Sequence, residues 1–214
     1  MSKIFTNIGG RCMGFYSLRH ISKFNDEYSH LDCPTGNMLY YNGFCDAYKL
    51  FDGSFYNDLL IKKRGFKRPS FTQKYNTRVG NVLVCHGLYF DEKYQKRLDE
   101  MFKTFHKTLN KEKKNVIYTY TLNEFDVYKS VFDIVYGLSN LSKYINIDNL
   151  FILASKPVDN PDYKNFKYNY RNNIFKTVFR DRYFVIEPSN DHYEACKNFY
   201  EQFEKYQAKI KGGK

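Results

Sequence analysis

The sequence predicts an α/β fold with a central sheet and helices on both sides. Short β-branched and aromatic runs alternate with amphipathic stretches, and the second half follows the order strand–helix–strand–helix–strand–loop–strand–helix. The chain has 214 residues, of which 43% are hydrophobic, so it can bury a core of its own. We therefore expect a single domain over residues 1–214.

The N-terminal part predicts one strand followed by a helical lobe that packs on the sheet. The apolar stretch KIFTNIG (3–9) is typical of a strand. Apolar residues with roughly helical spacing follow at 12–24, 35–51 and 54–63. The first of these helices begins at Cys12, so the lobe would carry this cysteine directly after the first strand.

The later elements have clearer patterns. Strands are predicted at 81–87, 115–121, 149–155 and 182–188, and helices at 91–114, 123–145 and 189–210. The first of these helices begins with Asp91 and Glu92 and ends in lysines, which matches the helix dipole. Ser189 or Asn190 is the expected N-cap of the last helix.

Charge and cysteine usage indicate which kind of partner and which cellular compartment to expect. The net charge of +11 favours acidic partners such as nucleic acid. The basic residues concentrate at Lys62, Lys63, Arg64, Lys67 and Arg68, within a stretch that has no carboxylate. This stretch is either a solvated loop or a loop that docks on a polyanion.

The cysteines and histidines do not indicate a metal site. An odd number of cysteines, five, with no CxxC pair predicts reduced thiols in a cytosol-like compartment, and the histidines form no metal-ligand spacing. We expect no metal and no cofactor. The N-terminus is too short and polar for a signal peptide, and no apolar run approaches the ~20 residues of a membrane span. The sequence thus predicts a soluble cytoplasmic protein.

The segment after the first strand carries the candidate nucleophile. Cys12 follows Gly9, Gly10 and Arg11 where a strand gives way to a helix. The helix dipole and the Arg11 cation both favour the thiolate, and the backbone amides near Gly10 and Arg11 could stabilise an oxyanion. The alternative is a buried structural thiol.

His86 is the candidate general base, because it ends an apolar strand and is followed by a glycine. Such a histidine can take a proton from a cysteine and return it to a leaving group. The alternative is a core histidine. Asp32 could orient His86, although its position before Pro34 equally suits a turn.

These residues occur in motifs that resemble those of one protein family. The motif GGRC with the following GFYSLRH resembles the N-terminal G-x-x-C…L-R signature of proteins classed as papain-like cysteine peptidases. HLDCPTGNMLY, NVLVCHG, EKYQKRLDEMFKTF and NVIYTYT resemble, in order, the family's aspartate motif, its histidine-ending strand, a helix with Tyr94 and Arg97, and its next strand. The resemblance covers roughly residues 5–125 of the chain.

The resemblance implies a papain-like α/β variant with Cys12 as nucleophile and His86 as base. It aligns Asp32 with the family's aspartate, but the flanking Leu31 and Cys33 differ from the family's residues. Asn123 is therefore the second candidate for the third member of a triad, since papain-like enzymes draw their orienting residue from this region.

The sequence predicts a cysteine-dependent hydrolase or acyl-transferring enzyme that acts on a peptide or protein substrate. The alternative is a non-catalytic basic module that binds nucleic acid or a protein partner on the same scaffold.

Overall fold

The computed structural model describes residues 2–10, 17–34, 38–40, 43–54, 77–79, 82–84, 92–112, 114–122, 126, 129–155, 174–186 and 191–213. Eight strands lie in this part of the chain: β1 Lys3–Gly10, β2 Tyr28–His30, β3 Met38–Tyr40, β4 Thr77–Val79, β5 Val82–Val84, β6 Val116–Thr121, β7 Leu150–Ser155 and β8 Tyr183–Ile186. Its α-helices are α1 Glu92–Glu112, α2 Val131–Leu141, α3 Ile174–Phe179 and α4 His192–Gly212.

The main sheet has five parallel strands in the order β2-β1-β6-β7-β8. The chain first moves from β1 outward to β2 and later returns to the opposite side of β1 at β6. The direction of winding therefore reverses between β1 and β6. In open parallel sheets, the crevice at the carboxyl ends of two such strands is the usual place for a ligand.

Helices cover both faces of this sheet, because its buried strands carry apolar residues on both sides. Along β6, Val116 and Tyr118 point to one face and Ile117 points to the other. The first face is covered by α1, α2, α3 and the 3-10 helix Gly43–Leu50, and the second by α4 and the segment around Leu18. The α/β prediction with a central sheet and helices on both sides is confirmed.

Aromatic rings fill much of both layers. On the α4 face, the ring of Phe5 meets those of Phe199 and Phe203 edge to face at 5.8 and 5.1 Å. On the α1 face, Phe44 meets Tyr120 in the same way at 5.2 Å. Such contacts add about 0.5–1.5 kcal/mol each beyond the area that they bury. Phe and Tyr therefore supply most of the largest buried side chains of the described core, in a chain that has no Trp.

Among the residues that the structure describes, the predicted N-terminal helical lobe is wrong in one segment, the first part of the helix expected at 35–51. Within the predicted helix at 35–51, Met38–Tyr40 is a strand and only Gly43–Leu50 is helical, as a 3-10 helix. β3, β5 and β4 form a separate three-stranded antiparallel sheet. Apolar residues spaced for a helix also suit a short strand when long-range pairing is available, and here β5 supplies it.

Most later elements match their predictions, with shifted ends. The helix expected at 123–145 is observed as α2. It starts later than expected because Ser130 and Asp133 form a reciprocal capping box before Val131. The N-cap of α4 is Asp191, one residue beyond the two predicted caps. β2 and α3 were not predicted, since each is short. Among the described residues, no helix has both the length and the apolar character needed to cross a bilayer.

The end of β1 approaches β6 so closely that only glycine fits there. Two residues of β1 lie between the pairs Asn7–Thr119 and Gly10–Thr121, whereas β6 has one residue in between, so β1 bulges. Gly10 has a φ of +93°, and a Cβ on it would lie 1.6 Å from the carbonyl oxygen of Thr121. A side chain at this position would push the two central strands apart.

We therefore expect Gly10→Ala to lower the free energy of unfolding by about 2–4 kcal/mol, because it adds a backbone clash to the cost of a positive φ. Gly53→Ala is the matched control: Gly53 has a φ of +78°, but a Cβ on it would have no described atom within 4 Å. The control should cost only about 1–2 kcal/mol. Urea unfolding of the two variants measures the difference. Equal losses of unfolding free energy would show that the close approach of Gly10 to Thr121 adds nothing to the cost of the substitution.

Candidate functional site

The carboxyl ends of β1 and β6 form the centre of the candidate site. Gly9 and Gly10 end β1 there, and Gly10 is paired with Thr121 at the end of β6. Arg11 and Cys12 come next in the sequence and lie outside the described residues. The predicted nucleophile thus follows, by two positions, the strand end at which the winding of the sheet reverses.

A buried polar network holds these two strand ends together. The hydroxyls of Thr119 and Thr121 each donate to Oδ1 of Asn7 at 3.1 Å, and Nδ2 of Asn7 donates to the carbonyl of Gly9 at 3.1 Å. The Asn7 and both threonine side chains are inaccessible to solvent. Buried hydrogen bonds of this kind are costly to break, because each lost partner leaves a desolvated group. The backbone that leads into Arg11 and Cys12 therefore starts from a rigid point.

A second buried network ties the loop after β6 to the α1 face. Asp126 accepts a hydrogen bond from the backbone N–H of Phe44 at 2.7 Å and another from the hydroxyl of Tyr120 at 3.1 Å. Asp126 is almost fully buried, and a Cβ on Gly43 would lie 2.1 Å from its Oδ1. Asp126 thus fixes the 3-10 helix Gly43–Leu50 beside the carboxyl end of β6.

Asp32 lies at the edge of the sheet in an ionic cluster. Nε and a terminal amine of Arg19 donate to its two oxygens at 3.1 and 2.9 Å, and Nδ1 of His30 lies 3.3 Å from Oδ1. Both members of the Arg19–Asp32 pair are about 40% exposed, so the pair contributes at most about 1 kcal/mol to stability. Burial lowers the pKa of His30 to about 4, which keeps the ring neutral at pH 7.

The strand register places this cluster a few residues before the carboxyl end of β1, measured along the strand. His30 pairs with Phe5, and Leu31 donates its backbone N–H to the carbonyl of Phe5. Asp32 is then level with Asn7, three residues before Gly10. At about 3.3 Å per residue, this is roughly 10 Å along the strand. Asp32 therefore lies towards the carboxyl ends of the strands, where the winding of the sheet reverses, but Arg19 and His30 already contact its carboxylate.

An open groove of about 590 Å³ runs along this edge of the sheet. One wall comes from β2 and the segment before it, and the other from α1. It is lined by Arg19, Ser22, Ser29, His30, Leu31, Asp32, Arg97, Glu100, Met101 and Thr104. Among them, Asp32 and Arg97 occupy positions that the resemblance aligns with residues of the peptidase family's motifs. The groove carries both signs of charge and has the size of a small-ligand or peptide site.

The remaining predicted site residues lie outside the described part of the chain. These are Arg11, Cys12, His86 and Asn123, together with the basic residues Lys62, Lys63, Arg64, Lys67 and Arg68.

The neighbours of two of these residues are nevertheless described. Asn123 follows β6 by two positions, just as Cys12 follows β1, and the two strand ends are paired. His86 follows β5 by two positions; β5 pairs with β3, and β3 contacts β1.

The three cysteines that lie in the described part of the chain, Cys33, Cys45 and Cys196, are buried. Burial raises the pKa of the Cys45 thiol to about 11 and that of Cys196 to about 12. Both are therefore protonated and poor nucleophiles at neutral pH. The described residues also contain no group of three or more His, Cys, Asp and Glu side chains that could hold a metal.

Sequence reasoning missed the two buried networks. Asn7 stands within an apolar strand, and Asp126 closely follows another, so each is a polar residue at a position where a core residue is expected. That signal was present in the sequence. Most of their partners were not visible in the sequence, because the hydrogen bonds to Phe44, Thr119 and Thr121 join residues 82 to 114 positions apart. Only the links from Asn7 to Gly9 and from Tyr120 to Asp126 are local.

The neutral state of His30 predicts an acid-sensitive fold. Its pKa is about 4 in the folded protein, against an ordinary value of 6.5. The unfolded chain binds more protons between these values, so the free energy of unfolding falls as the pH drops through this window. The full loss from His30 is about 3 kcal/mol at 1.36 kcal/mol per pKa unit.

Urea unfolding of wild type and His30→Asn at about pH 7 and about pH 4.5 measures this loss. We expect the variant to lose less stability than wild type on acidification. His106→Asn is the control: burial lowers the pKa of His106 as well, but this residue lies on α1 and is less deeply buried than His30. An unchanged pH dependence in His30→Asn would contradict the assignment.

Comparisons with known proteins place no further constraint on the site. The chain matches no protein-family model, no curated protein and no solved structure.

Proposed function

We propose that the protein is a cysteine-dependent hydrolase or acyl-transferring enzyme with Cys12 as its nucleophile. One observation carries the proposal: Gly9 and Gly10 end β1 at the point where the sheet reverses its winding, and Cys12 follows two positions later. A nucleophile at a sharp strand-to-helix junction on the carboxyl edge of a parallel sheet is a known solution for acyl chemistry. Ser17 and Leu18 are already helical, which supports such a junction.

The proposed reaction uses a thioester intermediate. The Cys12 thiolate attacks the substrate carbonyl, and backbone amides at Gly10 and Arg11 stabilise the oxyanion. His86 takes the thiol proton and passes it to the leaving amine as the carbon–nitrogen bond breaks. Water then attacks the thioester, gives its proton to His86 and releases the acid together with the Cys12 thiol. In a transferase, an amine would replace this water.

The topology supports His86 as the base. β3 contacts β1 and pairs with β5, so the strand that precedes His86 is two steps from the strand that precedes Cys12. The last residue of β5, Val84, pairs with Met38, and two further residues extend the chain by at most about 7 Å. Strand contacts thus link the segments that precede Cys12 and His86, although these two residues are 74 positions apart in the sequence.

The register favours Asn123 over Asp32 as the residue that orients His86. Asn123 closely follows Thr121, which is paired with Gly10. Asp32, in contrast, lies about 10 Å closer to the amino ends of the strands than Gly10 does, and Arg19 holds its carboxylate. Asp32 then has a different role, in the wall of the groove between β2 and α1. Such a groove could receive an extended peptide, in keeping with a peptide or protein substrate.

The resemblance to papain-like cysteine peptidases supports the same residues. It rests on the order of the motifs, and two residues from different motifs, Asp32 and Arg97, line one groove. We propose that the chain is a papain-like variant on a parallel sheet that acts in the cytoplasm, where thiols stay reduced.

The alternative is a binding module without chemistry. The net charge of +11 and the cluster Lys62, Lys63, Arg64, Lys67 and Arg68 favour an acidic partner such as nucleic acid, or an acidic protein. This alternative requires no activated thiol. The reactivity of Cys12 therefore decides between the two functions.

We expect iodoacetamide to alkylate Cys12 faster than any other cysteine at neutral pH, because only a thiolate reacts quickly. Cys33, Cys45 and Cys196 are buried, so Cys85 is the meaningful comparison. His86→Ala should remove the advantage of Cys12, and Cys85→Ser should leave it intact. Peptide mapping by mass spectrometry measures each rate. Equal rates at Cys12 and Cys85 would count against the enzyme and in favour of the binding module.

We also expect 4-nitrophenyl acetate to acetylate Cys12 and release nitrophenolate, because an activated ester needs no specific substrate contacts. His86→Ala should slow nitrophenolate release by about 100-fold or more, and Cys12→Ala should abolish the acetylated peptide. Asn123→Ala should slow the reaction more than Asp32→Ala. Acetylation spread over lysines, with no adduct at Cys12, would reject the mechanism.

A further inference from the structure

The outer face of α2 carries exposed apolar side chains. Val131, Val135 and Tyr136 are about half exposed, and Phe132 is 86% exposed. The opposite side of the helix is buried through Ile134, Gly137 and Leu141. Isolated exposed apolar residues are common on protein surfaces, but four on one helix form a patch, and such patches mark interaction sites.

The position of α2 is rigid, so this patch is not a product of a loose helix. A capping box fixes its first turn, with Ser130 and Asp133 as reciprocal partners. A Cβ on Gly137 would lie 2.9 Å from the ring of Phe44, so the inner side of the helix packs tightly. The thiol of Cys45 also donates to the carbonyl of Asp133 at 3.2 Å. Because this inner side is tightly packed, α2 cannot turn about its axis to bury Phe132.

We propose that this face, named here the α2 stripe (Phe132, Val135, Tyr136 and Ser139), docks on the α2 stripe of a second copy of the chain to form a two-fold symmetric dimer. These four residues lie on one side of the helix, because their spacing follows its three- and four-residue repeats. The stripe carries no charge, and the interiors of protein interfaces are depleted in charge and enriched in Phe and Tyr. The proposal does not depend on the chemistry of Cys12.

The stripe is complementary to itself in an antiparallel arrangement. Phe132 is large and lies near the N-terminal end of α2, whereas Ser139 is small and lies two turns later. A two-fold axis near Val135 and Tyr136 places Phe132 of each copy over the region of Ser139 in the other. Such a contact uses the same patch on both copies and closes at two chains.

The available area is sufficient for a weak or moderate dimer. Aromatic side chains offer roughly 150–250 Å² each, so the four exposed apolar residues present on the order of 400 Å² per copy. A standard interface covers about 800 Å² per partner, of which about 65% is apolar in homodimers. Surrounding polar residues such as Ser130, Asn140 and Ser142 would supply the remainder as a rim.

Charge sets the salt dependence of this dimer. Lys129 and Lys143 lie just beyond the two ends of α2, and each chain carries a net charge of +11. Two copies therefore repel each other, and added salt screens this repulsion and tightens the dimer. An acidic partner of another sequence would show the opposite dependence.

Sedimentation equilibrium of the full chain over a concentration series tests the proposal. Wild type should shift towards twice the chain mass at high concentration, and more strongly at high salt. Phe132→Ser should raise the dissociation constant at least about tenfold, which corresponds to about 1.4 kcal/mol. Ile210→Ser, which removes a 46% exposed apolar residue from α4, is the matched control and should behave as wild type.

A second measurement uses the absence of Trp from the chain. Phe132→Trp places one indole in the stripe at an exposed position that tolerates it, and its emission should shift to shorter wavelength as the concentration rises. Ile210→Trp should show no shift. A wild-type chain that stays monomeric throughout, or equal effects at positions 132 and 210, would overturn the proposal and assign the stripe to a partner of another sequence.

Discussion

The rest of the structure depends on the contact between the ends of β1 and β6. Gly10 approaches the carbonyl of Thr121 at a distance that excludes any side chain, and the amide of Asn7 joins both strand ends through Thr119 and Thr121. Both strands contribute core residues to each face of the sheet, so their separation affects the packing of both helical layers. The same contact lies at the strand ends where the winding of the sheet reverses. A stability requirement and the strand end that precedes the candidate nucleophile in the sequence thus share one set of atoms.

Buried polar groups limit how this edge of the sheet can be built. Asp126 lies in an aromatic layer and is stabilised there by hydrogen bonds from Phe44 and Tyr120. Such groups contribute little net stability but penalise every arrangement that leaves them unpaired. They favour a single geometry at the carboxyl end of β6, which a catalytic or binding site requires. The Arg19–Asp32 pair is more exposed, at about 40% for each side chain, and both residues line the groove along β2.

Two surfaces lie on the same sheet, and they differ in their physical character. The groove along β2 is charged and suits a polar ligand, whereas the α2 stripe is uncharged and suits an apolar partner. α2 begins beyond the carboxyl end of β6, so a dimer through this helix would bring two candidate sites into one particle. Its packing on the 3-10 helix Gly43–Leu50 links it to the network of Asp126.

The sequence by itself determined the α/β class, the central strands and the amphipathic helices, because these depend on local periodicity that each segment carries alone. It did not determine the strand at Met38–Tyr40 or the start of α2, since distant pairing and a capping box outweigh local spacing there. Only the tertiary structure decided the strand order, the network of Asn7 and the engagement of Asp32 by Arg19. These features join residues far apart in the chain, and no local pattern states which distant partner a side chain will meet.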